Sequence, residues 1–87
     1  MFESVQRRIQ KRVQEQHYIM TLPSEQEMVD DNLTIWDIQN AILSGDIVEG
    51  RQDPATSEWS YCIRGATMDG ATIEVLVRLG VTGKVII

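Results

Sequence analysis

One cysteine, one histidine and one phenylalanine are all that this chain of 87 residues has of each, and the shortages exclude several chemistries at once. A lone cysteine cannot close an internal disulfide, and together with one histidine it cannot build a structural zinc site, so no metal is expected. The six glycines stand singly. None has the spacing of a dinucleotide or nucleoside-triphosphate phosphate loop, and no cofactor is expected. No apolar run approaches the roughly 18 residues that cross a bilayer, and Met1-Phe2-Glu3-Ser4 leads into charge instead of a signal-peptide core. The expectation is therefore no membrane partner and a cytoplasmic location. Positive charge is scarce too. A net charge of -5 disfavours tight non-specific binding to RNA, because affinity for phosphate chains rests on Lys and Arg displacing counterions.

What is present is ordinary globular composition, 43% hydrophobic and 24% charged, in a length suited to a single domain over residues 1–87. A chain this short buries only roughly 60 to 65% of its unfolded surface, so its core is small. From Met1 to Gln16 the residues Phe2, Val5, Ile9 and Val13 recur at helical spacing, which predicts an amphipathic helix. Its other faces carry Arg7, Arg8, Lys11 and Arg12, half of the eight basic side chains. His17 to Leu22 is β-rich and too short for a helix, and it reads as an extended connector turned by Pro23. Ser24 and Glu27 have capping-box spacing, which predicts a short helix to about Asp31. Thr34 with Asp37 repeats that spacing more strongly, flanked by Leu33 and Ile38. The helix that follows carries Ile35, Ile38, Ala41 and Ile42 inward, with Gly45 expected as a left-handed stop.

Beyond Gly45 the period changes to two. Asp46 to Gln52 reads as a first strand, Asp53 to Ser57 as a loop, and Glu58 to Thr67 as a second strand with Trp59, Tyr61 and Ile63 on one face. Ser60, Cys62 and Arg64 fall on the other. Asp69-Gly70 is a hairpin signal, and Ala71 to Leu79 alternates cleanly with Ile73, Val75, Val77 and Leu79 inward. Thr82-Gly83 turns the chain into a fourth strand, Lys84 to Ile87. The sum is an α+β fold, three N-terminal helices packed on a four-stranded antiparallel meander sheet.

No motif names a reaction. Cys62 in an apolar strand pattern reads as a small buried hydrophobe in preference to a reactive thiol, and His17 as a partner of the preceding helix's C-terminal dipole in preference to an acid or base. What remains is a polar set that neighbouring strands bring together: Glu49, Arg51, Tyr61, Arg64, Glu74, Arg78 and Lys84. A carboxylate that takes a proton, beside cations that steady a phosphate, is minimal equipment for metal-independent RNA cleavage. Cross-strand ion pairs on a wet sheet face use the same residues and account for them more simply.

Tyr18-Ile19-Met20-Thr21-Leu22-Pro23-Ser24-Glu25-Gln26-Glu27-Met28, then Leu33-Thr34-Ile35-Trp36-Asp37-Ile38, Gly45-Asp46-Ile47-Val48-Glu49, Tyr61-Cys62-Ile63-Arg64-Gly65, Ile73-Glu74-Val75-Leu76-Val77 and Thr82-Gly83-Lys84 together resemble the bacterial domain-of-unknown-function family 4258. That family is similar in turn to the ribonuclease-toxin fold of barnase, colicin E5 and RelE, which implies a curved antiparallel sheet presenting the catalytic groups. The family pattern places a histidine where this chain has Pro23 and an alanine where it has Ser24, while Thr21 and Met28 match and Glu27 replaces a common basic residue. Members continue for several apolar residues past the position of Ile87. Proline neither donates nor accepts a proton through its side chain. The reading is therefore a non-catalytic protein-interaction module, a homodimer burying Trp36 or an open strand edge, or the partner of a small antitoxin-like protein. The alternative is an RNA-cleaving toxin-like enzyme with catalytic Glu49, Arg51, Arg64 and Glu74, assisted by Tyr61 or Lys84. A third reading is RNA binding without cleavage on the Arg7 to Arg12 face.

Overall fold

The structure, a computed structural model, describes residues 1–87. In it α1 (Glu3–Gln14) is followed by β1 (Tyr18–Ile19), α2 (Leu22–Asp30), α3 (Ile35–Ser44), β2 (Asp46–Gln52), β3 (Trp59–Ala66), β4 (Thr72–Leu79) and β5 (Val85–Ile86). None of the helices is long and apolar enough to cross a membrane.

The sheet departs from the expected four-stranded meander. It has five strands in the order β1-β5-β4-β3-β2, and it is mixed, because Tyr18 and Ile19 pair in parallel with Val85 and Ile86. The segment expected to be a plain connector is thus an edge strand. Its parallel pairing rests on residues 67 positions away (Tyr18↔Val85), a contact that local periodicity does not encode. The ladder extends a little further, with Ile87 N–H donating to the Ile19 carbonyl at 2.9 Å and Thr21 N–H to the Ile87 carbonyl at 3.0 Å. The expected fourth strand shrinks to two residues.

Helix limits follow local chemistry. Gln16 at φ 62 ends α1, and His17 N–H closes the last turn on the Arg12 carbonyl at 2.8 Å. In α2 the cap is Thr21, whose hydroxyl accepts from Ser24 N–H, with Pro23 in the first turn. The helix therefore starts two residues before the expected Ser24 box, since proline suits a position whose N–H would be unpaired anyway. The Thr34–Asp37 capping box forms as expected. Asp37 also accepts Met68 N–H at 2.9 Å, tying the helix start to the β3–β4 hairpin. Those two backbone N–H groups, Thr34 first and Met68 second, hold the Asp37 carboxyl below the usual carboxylate range.

Gly45 is not left-handed, at φ -98 and ψ -177. The end of α3 is satisfied instead by Gln10 of α1, whose amide donates to the Ile42 carbonyl at 3.2 Å and the Gly45 carbonyl at 3.4 Å. Gly45 is small for a different reason: a Cβ there would run into the Arg64 carbonyl of β3 and lie 2.6 Å from the Ala41 carbonyl oxygen. Gly65 has the same neighbour, with a Cβ 2.7 Å from the Ala41 carbonyl carbon. α3 thus rests backbone-to-backbone on β3.

All the large buried side chains meet between α1, α3 and one face of the sheet. Ile9 and Val13 come from α1, Ile38, Ala41 and Ile42 from α3, Ile47, Ile63, Val75, Val77 and Val85 from the strands, and Ile87 from the position just after β5. Phe2 meets Tyr61 edge-on at 6.1 Å between centroids. By contrast α2 buries no residue, and Trp36 of α3 is 64% exposed.

Candidate functional site

The helix-free face of β2, β3 and β4 turns past the edge of β4 toward α2, and a groove of about 790 Å³ lies along that path. Its apolar lining includes Met20, Met28, Leu33, Ile73, Leu76 and Ile87. Its charged lining is Glu27, Asp31, Glu49 and Glu74 against Arg51.

A β-bulge decides which residues reach this face. The register slips between Ile47 and Glu49. Strict alternation from the buried Ile47 would turn Glu49 and Arg51 into the core, whereas the extra residue, Val48, sets Glu49 opposite Cys62 and Arg51 opposite Ser60. Arg64 lies opposite Glu74, and Cys62 opposite Leu76. Four of the six residues nominated from the sequence, Glu49, Arg51, Arg64 and Glu74, therefore share one surface. They are coupled in pairs: Arg51 Nη2 to Glu49 Oε1 at 3.0 Å, and Arg64 Nη2 to Glu74 Oε2 at 2.8 Å with Nε at 3.1 Å. Arg78 bonds Glu58 at 3.2 Å on the same face.

The other two nominees lie elsewhere. Tyr61 points to the helix-bearing face, between Phe2 and a stacked Trp59 at 6.3 Å. Lys84 sits in the turn before β5, in a small polar depression with Arg12, His17, Thr82 and Gly83. Cys62 is half-buried on the groove face and not in the core. Burial pushes its thiol up, and the Glu74 and Glu49 carboxylates push the same way against Arg64, which disfavours the nucleophilic thiolate.

Sequence reasoning missed the edge of β4. β5 pairs only with Arg78 and Leu79, leaving the first six residues of β4 with no strand on that side. The Gly80 N–H to Lys84 carbonyl bond at 2.8 Å fixes the phase. In an antiparallel ladder the hydrogen-bonding groups alternate in direction, so the N–H and C=O of Thr72, Glu74 and Leu76 face the groove. On the β2 edge of the sheet, Ile47 N–H donates to Gln6 Oε1 at 2.8 Å. Leu76 is 69% exposed.

A family model described as "Domain of unknown function (DUF4258)" matches residues 24–87. The chain belongs to this family. The DUF4258 match takes in α3, β2 to β5 and all of α2 except its first two residues, so the bulge, the four charged residues and the open edge lie inside it. α1 and β1, which contribute Ile9, Val13 and the parallel pairing, precede the DUF4258 region, as do Thr21 and Pro23. No curated protein and no solved structure gives a match.

Proposed function

We propose that this DUF4258 domain is a non-catalytic protein-interaction module whose contact region is the groove between β4 and α2. The observation that carries the reading is the groove of about 790 Å³ itself, whose lining sets Met20, Met28, Leu33, Ile73, Leu76 and Ile87 beside exposed charge. Exposed apolar surface rimmed by polar groups marks contact sites for partners. Here α2 borders the groove and reaches the core through the partly buried Met28, with none of its residues fully buried. A small antitoxin-like protein or a second copy of the chain is the class of partner such a groove serves.

The charged face supports the same reading. Its carboxylates are engaged by arginines, Glu49 by Arg51 and Glu74 by Arg64. The single histidine, His17, does not line the groove.

The second reading is metal-independent RNA cleavage in a ribonuclease-toxin-like fold. It is favoured by one fact, that Glu49, Arg51, Arg64 and Glu74 share a surface. There a carboxylate would take the proton of a ribose hydroxyl while guanidinium groups steadied the phosphate. An RNA-degradation assay on the purified protein, Glu49→Ala and Arg51→Ala separates the two. The module reading expects the same background in all three. Cleavage by the wild-type protein that drops by about 100-fold or more in Glu49→Ala, the scale of a lost general base, overturns it.

A further inference from the structure

The end of α1, the start of β1 and the β4–β5 turn meet around a depression of about 240 Å³, lined by Arg12, His17, Thr82, Gly83 and Lys84. It shares no lining residue with the groove. We propose that this depression is an anion site for a phosphate dianion, either free inorganic phosphate or the terminal group of a phosphomonoester. The site goes beyond the interaction-module reading and does not depend on it.

The donor set gives the first support. No apolar residue lines the depression, and it gathers the only histidine and two of the eight Lys and Arg side chains in a chain of net charge -5. Arginine brings a planar fork, lysine a compact point charge, the imidazole a ring N–H and threonine a hydroxyl. Donors that converge from three elements suit a tetrahedral oxyanion, whose oxygens point apart, better than the two coplanar oxygens of a carboxylate. The competing carboxylate is Glu15, with Oε1 3.8 Å from Arg12 Nη1. That pair is beyond hydrogen-bond distance and open to solvent, so it holds Arg12 weakly.

The backbone gives the second support, because it places the donors before any ligand arrives. His17 N–H donates to the Arg12 carbonyl at 2.8 Å, Val85 N–H to the His17 carbonyl at 3.2 Å, and Gly80 N–H to the Lys84 carbonyl at 2.8 Å. These bonds tie α1 to β1 and β1 to the turn, which Gly83 N–H closes on the Gly80 carbonyl at 3.0 Å. The guanidinium is seated too. A Cβ on Gly83 would lie 3.4 Å from Arg12 Nη2 and 3.8 Å from Nε, so the Nε–Nη2 edge faces the turn. That edge is one of the two that bind a pair of oxyanion oxygens, and donors already in place lose less freedom on binding. The depression is smaller than the roughly 300 Å³ at which pockets for drug-sized ligands begin, so it encloses a phosphoryl group and little more. Thr82, Gly83 and Lys84 lie in the DUF4258 region and Arg12 and His17 precede it, so the site is assembled across that boundary.

The test titrates the full chain with inorganic phosphate at about pH 7.5, where phosphate is largely a dianion, with sodium chloride holding ionic strength constant. Two-dimensional NMR of backbone amides and the Arg12 Nε–H reads the binding. Saturable shifts are expected at Gly83, Lys84, His17 and Arg12 with half-saturation on the order of 1 mM, and none at Met28 and Leu33 of the groove. Lys84→Ala and Arg12→Ala should each weaken binding by about fivefold or more, the scale of a lost charge-assisted bond. Lys84 is exposed in a turn, so its variant carries the test if Arg12→Ala does not fold. Glu15→Gln removes the competitor and should tighten binding by about two- to fivefold. Glycerol phosphate separates the two sources: affinity within about threefold of inorganic phosphate assigns the monoester, and weaker binding assigns the free ion. Dimethyl phosphate, singly charged like the diester of a nucleic acid chain, should bind at least about tenfold more weakly. Shifts that do not saturate by about 20 mM phosphate, or affinity unchanged in Lys84→Ala, overturn the inference. So does equal affinity for dimethyl phosphate, which assigns the patch to RNA.

Discussion

Gly65→Ala is expected to destabilise the protein by about 3 kcal/mol or more, the upper range for forcing atoms into a packed site. An added Cβ would stand 2.7 Å from the Ala41 carbonyl carbon and 2.9 Å from its Cα. Those are backbone atoms in the middle of α3, so no side-chain rotation relieves the clash. α3 would have to lift from β3, disturbing Ala41 and Ile42, both fully buried. Gly70→Ala is the matching control. Gly70 has φ +90 in the β3–β4 turn but open space around its Cβ position, so its cost is limited to the backbone term of about 1 kcal/mol. Urea unfolding of both variants gives the comparison. A Gly65→Ala midpoint equal to that of Gly70→Ala would mean that α3 is not seated as described.

Ile63→Ala is expected to cost about 3 to 4 kcal/mol, the range for truncating a fully buried aliphatic side chain with partial collapse around it. Ile63 is 0% exposed and pairs with Ile47 on one side and Val75 on the other. A domain of this size has only about 5 to 15 kcal/mol of stability in total, so the variant should be close to unfolding at 37 °C. The same truncation at Leu76, 69% exposed on the opposite face, should change stability by less than about 0.5 kcal/mol. Equal losses at the two positions, measured by chemical denaturation, would contradict the assignment of sheet faces.

The contrast between these positions also shows what was legible beforehand. The inward set of β4 was readable because its alternation is uninterrupted from Ile73 to Leu79, and α3 because Thr34 and Asp37 supply both halves of a capping box. The faces of β3 followed in the same way. The parallel pairing of Tyr18 and Ile19 with β5 was not readable, since a two-residue strand has no period to detect and its partner lies at the other end of the chain. Gly45 misled for a related reason: glycine after a helix usually signals a left-handed cap, yet here it answers to the Arg64 and Ala41 carbonyls, and Gln10 does the capping from another helix. At the candidate site, Glu49, Arg51, Arg64 and Glu74 were nominated together and do share a face, but for β2 this depends on the bulge at Val48, against its local alternation. Tyr61 was nominated by residue type, although its own alternation with Ile63 placed it on the helix-bearing face. Lys84 was assigned to a strand that begins one residue later.

The most direct test of the account is the amide exchange profile along β4 in the free protein. Ile73, Val75 and Val77 bond toward β3 and should exchange slowly, whereas Glu74 and Leu76 should exchange at least about tenfold faster, giving a sawtooth of period two. Uniform protection from Ile73 to Val77 would contradict the sheet register, in which β5 pairs with Arg78 and Leu79 alone.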